Sequence, residues 1–204
     1  FSTGAPNVSP HRLSAPTYGD MLLSQSPLSK QFTVAIEPLS AIVLNGRHGI
    51  ALWAETNQTH WTTSSAYTTK LPEWISDYNK KDINKEYTIN RWTPLYKAET
   101  YRNSEVGVVE GIKDKTTELI TELNFDLDET LYGQMSYTPA GNTMTLRFAQ
   151  EIIKHEALGT DPHTDVLNIY LDAARNIAEI YGPESIEYED MLYRLDKDLI
   201  GFLD

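Results

Sequence analysis

The chain has 204 residues, 40% of them hydrophobic, which is enough for one globular domain with a buried core. Its net charge of −12 argues against a nucleic-acid-binding protein, because neutralising phosphates requires clustered Lys and Arg. The absence of cysteine excludes disulfides and thiolate metal sites, and no apolar run is long enough to span a membrane. The sequence begins at Phe1 without a signal-like segment, so we expect a removed leader or a portion of a longer protein.

Short apolar segments separated by turn signals fill the first part of the chain. The predicted elements are a helix at 18–30, a buried strand at 32–36, and a hairpin of strands at 50–55 and 60–63. Pro27 interrupts the helix, and a second apolar run, 41–44, ends at the turn pair Asn45-Gly46.

The middle of the chain is more polar and predicts short helices between irregular segments. The helices are expected at 71–81, 82–90 and 111–123, with an irregular segment at 91–110 and a loop at 124–138. In the first of these helices Pro72 stands in the first turn, and Trp74, Ile75 and Tyr78 share one face.

The last third has the clearest periodicity. It predicts helices at 143–158 and 173–181, a buried strand at 166–171, and a last helix that Pro183 opens. The side chains expected to line one side of the last helix are Ile186, Leu192, Leu195, Leu199 and Leu203. Residues 184–204 carry seven acids and two bases, which we interpret as a solvated helix face. Helices that alternate with buried strands predict an α/β layer structure.

Several segments in a fixed order carry a resemblance to one known family. They are 70–74 (KLPEW), 92–95 (WTPL), 139–149 (PAGNTMTLRFA), Gly182-Pro183 and 194–199 (RLDKDL). Together they resemble the periplasmic alkaline phosphatases and the related type I phosphodiesterases and nucleotide pyrophosphatases. The resemblance implies an alkaline-phosphatase-like layered sheet with flanking helices and a periplasmic or secreted location. It also implies a partial domain, with core portions at 1–56 and 134–204 and a cap-like insertion at 57–133.

The zinc-ligand positions of this family are altered. Its members use two zinc ions and a Thr or Ser nucleophile, and the nucleophile strand and a further ligand segment would fall outside this chain. Alignment on Gly182-Pro183 places Arg175 and Glu179 where the family has a ligating Asp and His. A guanidinium is permanently charged and cannot ligate zinc. We therefore expect no bound zinc and no catalytic residue in this chain.

The phosphate-contact positions are altered as well. The family motif Lys-Asp-Arg-Gly-Ala-Ile reaches the substrate phosphate through its Lys and Arg, and here Glu37 and Leu39 take those positions. A carboxylate repels a phosphate dianion, so the substrate-binding function is expected to be lost. Because Glu37 and Arg175 now have opposite charges, they are expected to form an ion pair that fills the vacant site.

Other polar residues invite a ligand interpretation. A sequence cluster that suggests a metal contains His155, Asp161, His163 and Asp165. Its spacing matches no known ligand pattern, so a loop is the favoured interpretation, with His163 and Asp165 kept as candidates. Asp172 directly follows a predicted strand, where α/β proteins bind ligands, although local pairing with Arg175 is favoured.

Three functions follow from these observations. The first is a pseudo-phosphatase, which keeps the fold for binding or assembly without chemistry. The second is an active phosphoric ester hydrolase whose remaining site lies outside this chain. The third is an envelope module that binds a glycan or a partner protein, and a homo-oligomer is also compatible with the sequence. A surface platform would favour the third, and its aromatic candidates are Trp53, Trp61, Tyr67, Trp74 and Trp92.

Overall fold

Four strands form one mixed sheet in the part of the chain that the computed structural model describes, residues 8–55, 60–81, 92–102 and 135–204. The strands are β1 (Gln31–Ala35), β2 (Ile50–Ala54), β3 (Trp61–Thr62) and β4 (Val166–Ile169). They lie in the order β3-β2-β1-β4. β1 is parallel to both β2 and β4, whereas β2 and β3 pair antiparallel, as the predicted hairpin requires.

Six helices surround this sheet within the described residues. They are α1 (Tyr18–Gln25), α2 (Pro38–Asn45), α3 (Glu73–Lys80), α4 (Pro139–Glu156), α5 (Asp172–Tyr181) and α6 (Ile186–Leu203). The α/β layer structure expected from the sequence is therefore confirmed. Among the helices of the described ranges, none is long and apolar enough to cross a bilayer.

The strands of the sheet differ in burial, and β4 is the least buried of the four. All five residues of β1 are buried, because the strand lies between two parallel neighbours and helices cover it. β4 pairs only with β1 among the described strands, and its four residues are half-buried. The prediction of a fully buried strand at 166–171 was therefore wrong in its depth of burial, and the strand ends at Ile169.

Several boundaries differ from those that the sequence predicts. The apolar run 41–44 belongs to α2, which ends where Gly46 adopts a φ of 88°. α1 stops at Gln25, before Pro27. Met135 and Ser136 are helical, so the loop expected at 124–138 does not extend over them. The helices predicted at 82–90 and 111–123 lie outside the described residues.

The apolar side of α6 matches the predicted one only in part, since Ile186 is buried and Leu195 packs against the same cluster. Ile186 and Met191 are buried against Trp92 and Ile177, whereas Leu192 is exposed. Leu199 and Leu203 are exposed as well. Periodicity alone admitted two adjacent stripes on this helix, and the contact with α5 selects the stripe that contains Met191.

A buried carboxylate attaches the segment 92–102 to α6. Asp190 is fully buried and accepts four hydrogen bonds. The donors are the Trp92 indole (2.7 Å), the Leu95 backbone (2.6 Å), the Tyr101 hydroxyl (2.5 Å) and the Arg194 guanidinium (2.7 Å). Burial raises the pKa of Asp190, but these donors outweigh it and the net pKa is lowered.

Asp190 is not the only buried acid of α6. Glu187 and Glu189 are also buried, and Glu189 accepts the backbone N–H of Arg102 at 2.9 Å. The solvated acidic face predicted for residues 184–204 is therefore wrong for these three carboxylates. The sequence pattern could not show it, because most of the donors to Asp190 and Glu189 come from residues about ninety positions earlier.

Glycine substitutions test the packing of α4 on the sheet. A Cβ at Gly141 would lie 2.0 Å from the Met135 carbonyl oxygen and 3.0 Å from the Ala173 Cβ. Because the first contact is with backbone, we expect Gly141→Ala to destabilise the fold by about 2 kcal/mol or more in urea unfolding. Gly201→Ala is the matched control. It meets no atom within 4 Å and lies in α6, so it should be neutral or slightly stabilising.

The lowered pKa of Asp190 predicts a pH dependence of stability. A carboxyl whose pKa is lower in the folded state stabilises the fold above the unfolded value of 3.8 and loses that contribution as pH falls through the folded value. Asp190→Asn should cost about 2–3 kcal/mol at pH 7, since it leaves Arg194 without its buried partner. The difference from wild type should shrink below pH 3.8. A constant difference in urea midpoints across this range would contradict the assignment.

Candidate functional site

The candidate site lies at the carboxyl ends of the parallel strands β1 and β4. The chain leaves β1 through Ile36 and Glu37 into α2, and it leaves β4 through Tyr170 and Leu171 into α5. Two helices therefore begin at the same edge of the sheet. This is the position at which open α/β sheets bind ligands.

Asp172 joins the two helix starts. Its Oδ2 accepts the backbone N–H groups of Ile36 (2.7 Å) and Glu37 (2.9 Å), and its Oδ1 accepts the Ser40 hydroxyl (2.7 Å). The residue is fully buried, and burial raises its pKa although the hydrogen bonds from Ser40 and the backbone oppose that effect. Asp172 thus bonds to the end of β1 and to the first turn of α2, and its oxygens are occupied by these donors.

Asp172 and Arg175 lie near each other, as the sequence led us to expect, but they do not form a hydrogen bond. The Arg175 Nη2 atom lies 3.8 Å from Asp172 Oδ1, beyond hydrogen-bonding distance. The sequence identified the right neighbour, but the stronger partners of Asp172 are at the end of β1.

The ion pair expected between Glu37 and Arg175 forms. Arg175 Nη2 donates to Glu37 Oε1 at 2.8 Å and to Asn176 Oδ1 at 2.9 Å. The amide of Asn176 donates back to Glu37 Oε1 (3.3 Å) and to the Ser136 carbonyl (3.1 Å). Burial lowers the pKa of Arg175, but the bond and charge of Glu37 outweigh it and raise the pKa. The guanidinium therefore stays charged, and the cluster links β1, α5 and the segment before α4.

The other altered positions lie at the rim of this cluster. The Glu179 side chain is mostly exposed, and its Oε1 is 3.9 Å from Arg175 Nε. Leu39 is exposed on α2. Within the described ranges, no group of three or more His, Cys, Asp and Glu side chains is arranged to hold a metal ion.

The candidate metal ligands near residue 163 have structural partners. Asp165 accepts the backbone N–H groups of Lys30 (2.7 Å) and Gly159 (2.9 Å), which fixes the loop before β4. Asp161 accepts the backbone N–H of His163 at 2.8 Å. These bonds describe a loop, which is the interpretation that the sequence favoured.

His155 takes no part in these loop hydrogen bonds. Its ring stacks on Trp74 with centroids 4.8 Å apart, and it contacts Glu151 at 3.2 Å.

Trp53, Trp61 and Trp92 are buried, so they do not form the surface platform that the third functional hypothesis requires.

Sequence reasoning missed two members of the site. Ser40 occupies the first turn of α2, where a hydroxyl commonly meets a carboxylate or a free N–H, and this position was the available signal. Asn176 gave no signal, because the two groups to which its amide donates, on Glu37 and Ser136, are forty or more positions away.

An open α/β sheet with polar side chains at the carboxyl ends of its parallel strands is an architecture common among ligand-binding proteins. Comparison with models of protein families gives no match. Alkaline phosphatase PafA of Elizabethkingia meningoseptica is 33% identical over 201 residues, 95% of this chain and 37% of PafA. Alkaline phosphatase PhoV of Synechococcus elongatus is 32% identical over 200 residues, 96% of this chain and 36% of PhoV. A protein of Myroides odoratus named calcium-transporting ATPase is 34% identical over 203 residues, 96% of this chain and 37% of its own length.

The solved structure of PafA agrees with the sequence comparison. It superimposes with a TM-score of 0.84 at 33% identity, over 96% of this chain and 39% of PafA. A PafA variant with four substitutions gives a TM-score of 0.80. The chain therefore belongs to the alkaline phosphatase superfamily, as its sequence motifs indicated. It spans 36–37% of the length of the curated relatives it matches.

A double-mutant cycle measures the Glu37–Arg175 interaction. The two side chains are 31% and 39% exposed, so solvent weakens the pair and we expect a coupling free energy of about 0.5–1 kcal/mol. The variants are Glu37→Gln, Arg175→Met and their combination, compared by urea unfolding. The exposed Lys80–Asp77 pair supplies a control cycle with a smaller coupling. Zero coupling for Glu37–Arg175 would show that the pair does not hold the site together.

Proposed function

We propose that this chain is a phosphatase-like protein whose altered site binds neither zinc nor phosphate, and that it serves as a non-catalytic binding module of the cell envelope. The observation that carries the proposal is the 2.8 Å ion pair between Glu37 and Arg175. The two residues occupy, by resemblance, a phosphate-contact position and a zinc-ligand position of the family.

Charge explains why the pair is incompatible with the family's chemistry. A zinc site requires carboxylates and neutral imidazoles, whereas Arg175 places a permanent positive charge where the metal would stand. A phosphate site requires cations, whereas Glu37 supplies a carboxylate. Glu37 and Arg175 thus each replace one ligand position of the family, and each neutralises the charge of the other.

The comparison with PafA gives further support. In the solved PafA variant, a lysine and an arginine two residues apart are both replaced by alanine. Glu37 and Leu39 have the same spacing, and they follow β1 directly. We take Glu37 and Leu39 as the corresponding positions. We likewise propose a core at 1–56 and 134–204, a cap-like insertion at 57–133, and a periplasmic or secreted location.

The alternative is a metal-dependent phosphomonoesterase or phosphodiesterase whose remaining site lies outside this chain. It is favoured by one observation: the relatives are much longer than the matched region, which spans 36–37% of them. This alternative requires metal ions to bind although the positive charge of Arg175 would lie close to them.

Zinc content and hydrolysis separate the two functions. After dialysis against micromolar zinc and then metal-free buffer, we expect well below one zinc per chain and no hydrolysis of p-nitrophenyl phosphate or bis-p-nitrophenyl phosphate. The full-length PafA of E. meningoseptica, treated identically, is the positive control. Stoichiometric zinc with turnover in this chain would establish the alternative.

A reversal variant tests whether Arg175 and Glu179 occupy ligand positions. Residues four apart on α5 face the same side, so Arg175→Asp combined with Glu179→His presents two zinc ligands together. We expect this variant to bind zinc measurably more tightly than wild type in a competition titration with a chromogenic chelator. Glu184→His with Tyr188→Asp places the same residue types elsewhere and controls for nonspecific binding. Equal affinity for both double variants would refute the positional assignment.

A further inference from the structure

The two edges of the sheet differ in how their backbone groups are paired. At the β3 edge, the side-chain oxygen of Asn79 accepts the backbone N–H of Trp61, and the Asn79 amide donates to the Trp61 carbonyl, both at 2.9 Å. The side chain of Asn79 thus takes the place of a neighbouring strand. Such protection is common at sheet edges, because free N–H and C=O groups there pair with strands of other chains.

The β4 edge lacks this protection within the described ranges. The backbone N–H groups of Val166 and Tyr170 donate to β1 at 2.8 and 2.9 Å. Backbone groups alternate in direction along a strand, so the N–H and C=O groups of Leu167 and Ile169 point away from β1. No bond to these outward groups occurs in the part of the chain that the structure describes. β4 also contains no proline and no charged side chain, which are residues that commonly protect an edge.

The side chains of β4 are mostly apolar but incompletely covered. All four residues of the strand are half-buried, whereas all five residues of β1 are buried. Leu167 and Ile169 pack against the core cluster that contains Phe32 and Val34. Strands with parallel neighbours are normally covered on both faces. A further strand beside β4 would extend this core and pair the outward backbone groups.

The sequence of β4 and the residue after it is complementary to itself. Apolar residues flank Asn168 symmetrically, with Leu167 and Ile169 next to it and Val166 and Tyr170 beyond them. When two copies pair antiparallel about Asn168, Leu167 of each copy lies opposite Ile169 of the other. Val166 then lies opposite Tyr170, a β-branched and aromatic pair of the kind that stabilises sheets. Leu167 and Ile169 carry the outward backbone groups, so they exchange hydrogen bonds in both directions.

Other registers of this pairing are less favourable. Shifting the twofold axis to Leu167 or Ile169 also joins outward backbone groups, but it places Asn168 opposite Val166 or Tyr170. A half-buried amide then faces an apolar side chain instead of a second amide. A shift by half of this step sets outward groups against inward ones and forms no ladder. The strand therefore specifies one register, that of an isologous twofold contact.

We propose that two copies of this chain dimerise through β4, which pairs antiparallel with β4 of the second copy about a twofold axis at Asn168. The dimer joins the four described strands of each copy into one continuous sheet. The net charge of −12 opposes association, so the contact depends on backbone pairing and apolar side chains. The inference does not depend on the state of the phosphatase-like site.

Sedimentation velocity from micromolar to millimolar concentration tests the dimer. We expect the mass to rise with concentration from that of one chain towards that of two, and added salt to favour the dimer because it screens the negative charge. Amide exchange followed by NMR locates the contact. The amides of Leu167 and Ile169 should become protected as concentration rises, whereas those of Val166 and Tyr170, already bonded to β1, should not change.

A proline variant isolates the outward backbone groups. Leu167→Pro removes an outward N–H and no ladder bond to β1, whereas Leu167→Ala removes the same side chain and keeps that N–H. We expect the proline variant to dimerise at least about tenfold more weakly than the alanine variant. Circular dichroism spectra verify that both variants are folded.

Three outcomes would overturn the proposal. The first is a wild-type chain that stays monomeric up to millimolar concentration, which would leave a strand of another protein as the occupant of this edge. The second is equal dimerisation of the proline and alanine variants. The third is a dimer in which the amides of Leu167 and Ile169 stay unprotected, because the contact would then lie elsewhere. The exchange measurement uses the wild-type chain, so it decides the question even where a variant fails to fold.

Discussion

The hydrogen bonds of the Asp172 carboxylate hold together the edge of the sheet at which α2 and α5 begin. α2 and α5 both begin without a hydrogen bond from their own capping side chain. Asp172, the first residue of α5, instead accepts two backbone N–H groups at the end of β1 and the Ser40 hydroxyl of α2. One side chain thus satisfies donors at the start of α2 and fixes α5 relative to β1.

The position of the ion pair follows from this anchor. Glu37 donates its backbone N–H to Asp172, and Arg175 lies three residues after Asp172 on α5. Both side chains therefore emerge from the same rigid corner, and Asn176 bonds to each of them. Because the pair is partly solvated, its net stabilisation is small, about 1 kcal/mol at most. The pair matters for its charge: each side chain would otherwise attract a ligand of opposite sign, and instead the two charges neutralise each other.

The parts of this arrangement that the sequence could predict are those with a local or a motif-based signal. The strand at 32–36 and the helix at 173–181 followed from apolar runs and periodicity, and the pairing of Glu37 with Arg175 followed from motifs aligned on Gly182-Pro183. The exposure of Leu192 and the burial of Asp190 did not. Periodicity locates an apolar stripe without saying which neighbour covers it. The i,i+4 pair of Asp190 with Arg194 is equally typical of an exposed helix face, so the burial of Asp190 is recognisable only through its donors in segment 92–102.

Asp172 and Asp190 are both buried, but their pKa values are shifted in opposite directions. Asp190 has a guanidinium at 2.7 Å, and its pKa is lowered despite burial. Burial raises the pKa of Asp172, the nearby carboxylate of Glu37 adds to this effect, and the nearest guanidinium is 3.8 Å away. As pH falls below 3.8, the attachment of segment 92–102 through Asp190 weakens. The Asp172 carboxyl binds its proton at a higher pH in the folded state than in the unfolded chain. Its protonation therefore stabilises the fold as pH falls. The attachment of segment 92–102 to α6 is therefore the more acid-sensitive of the two.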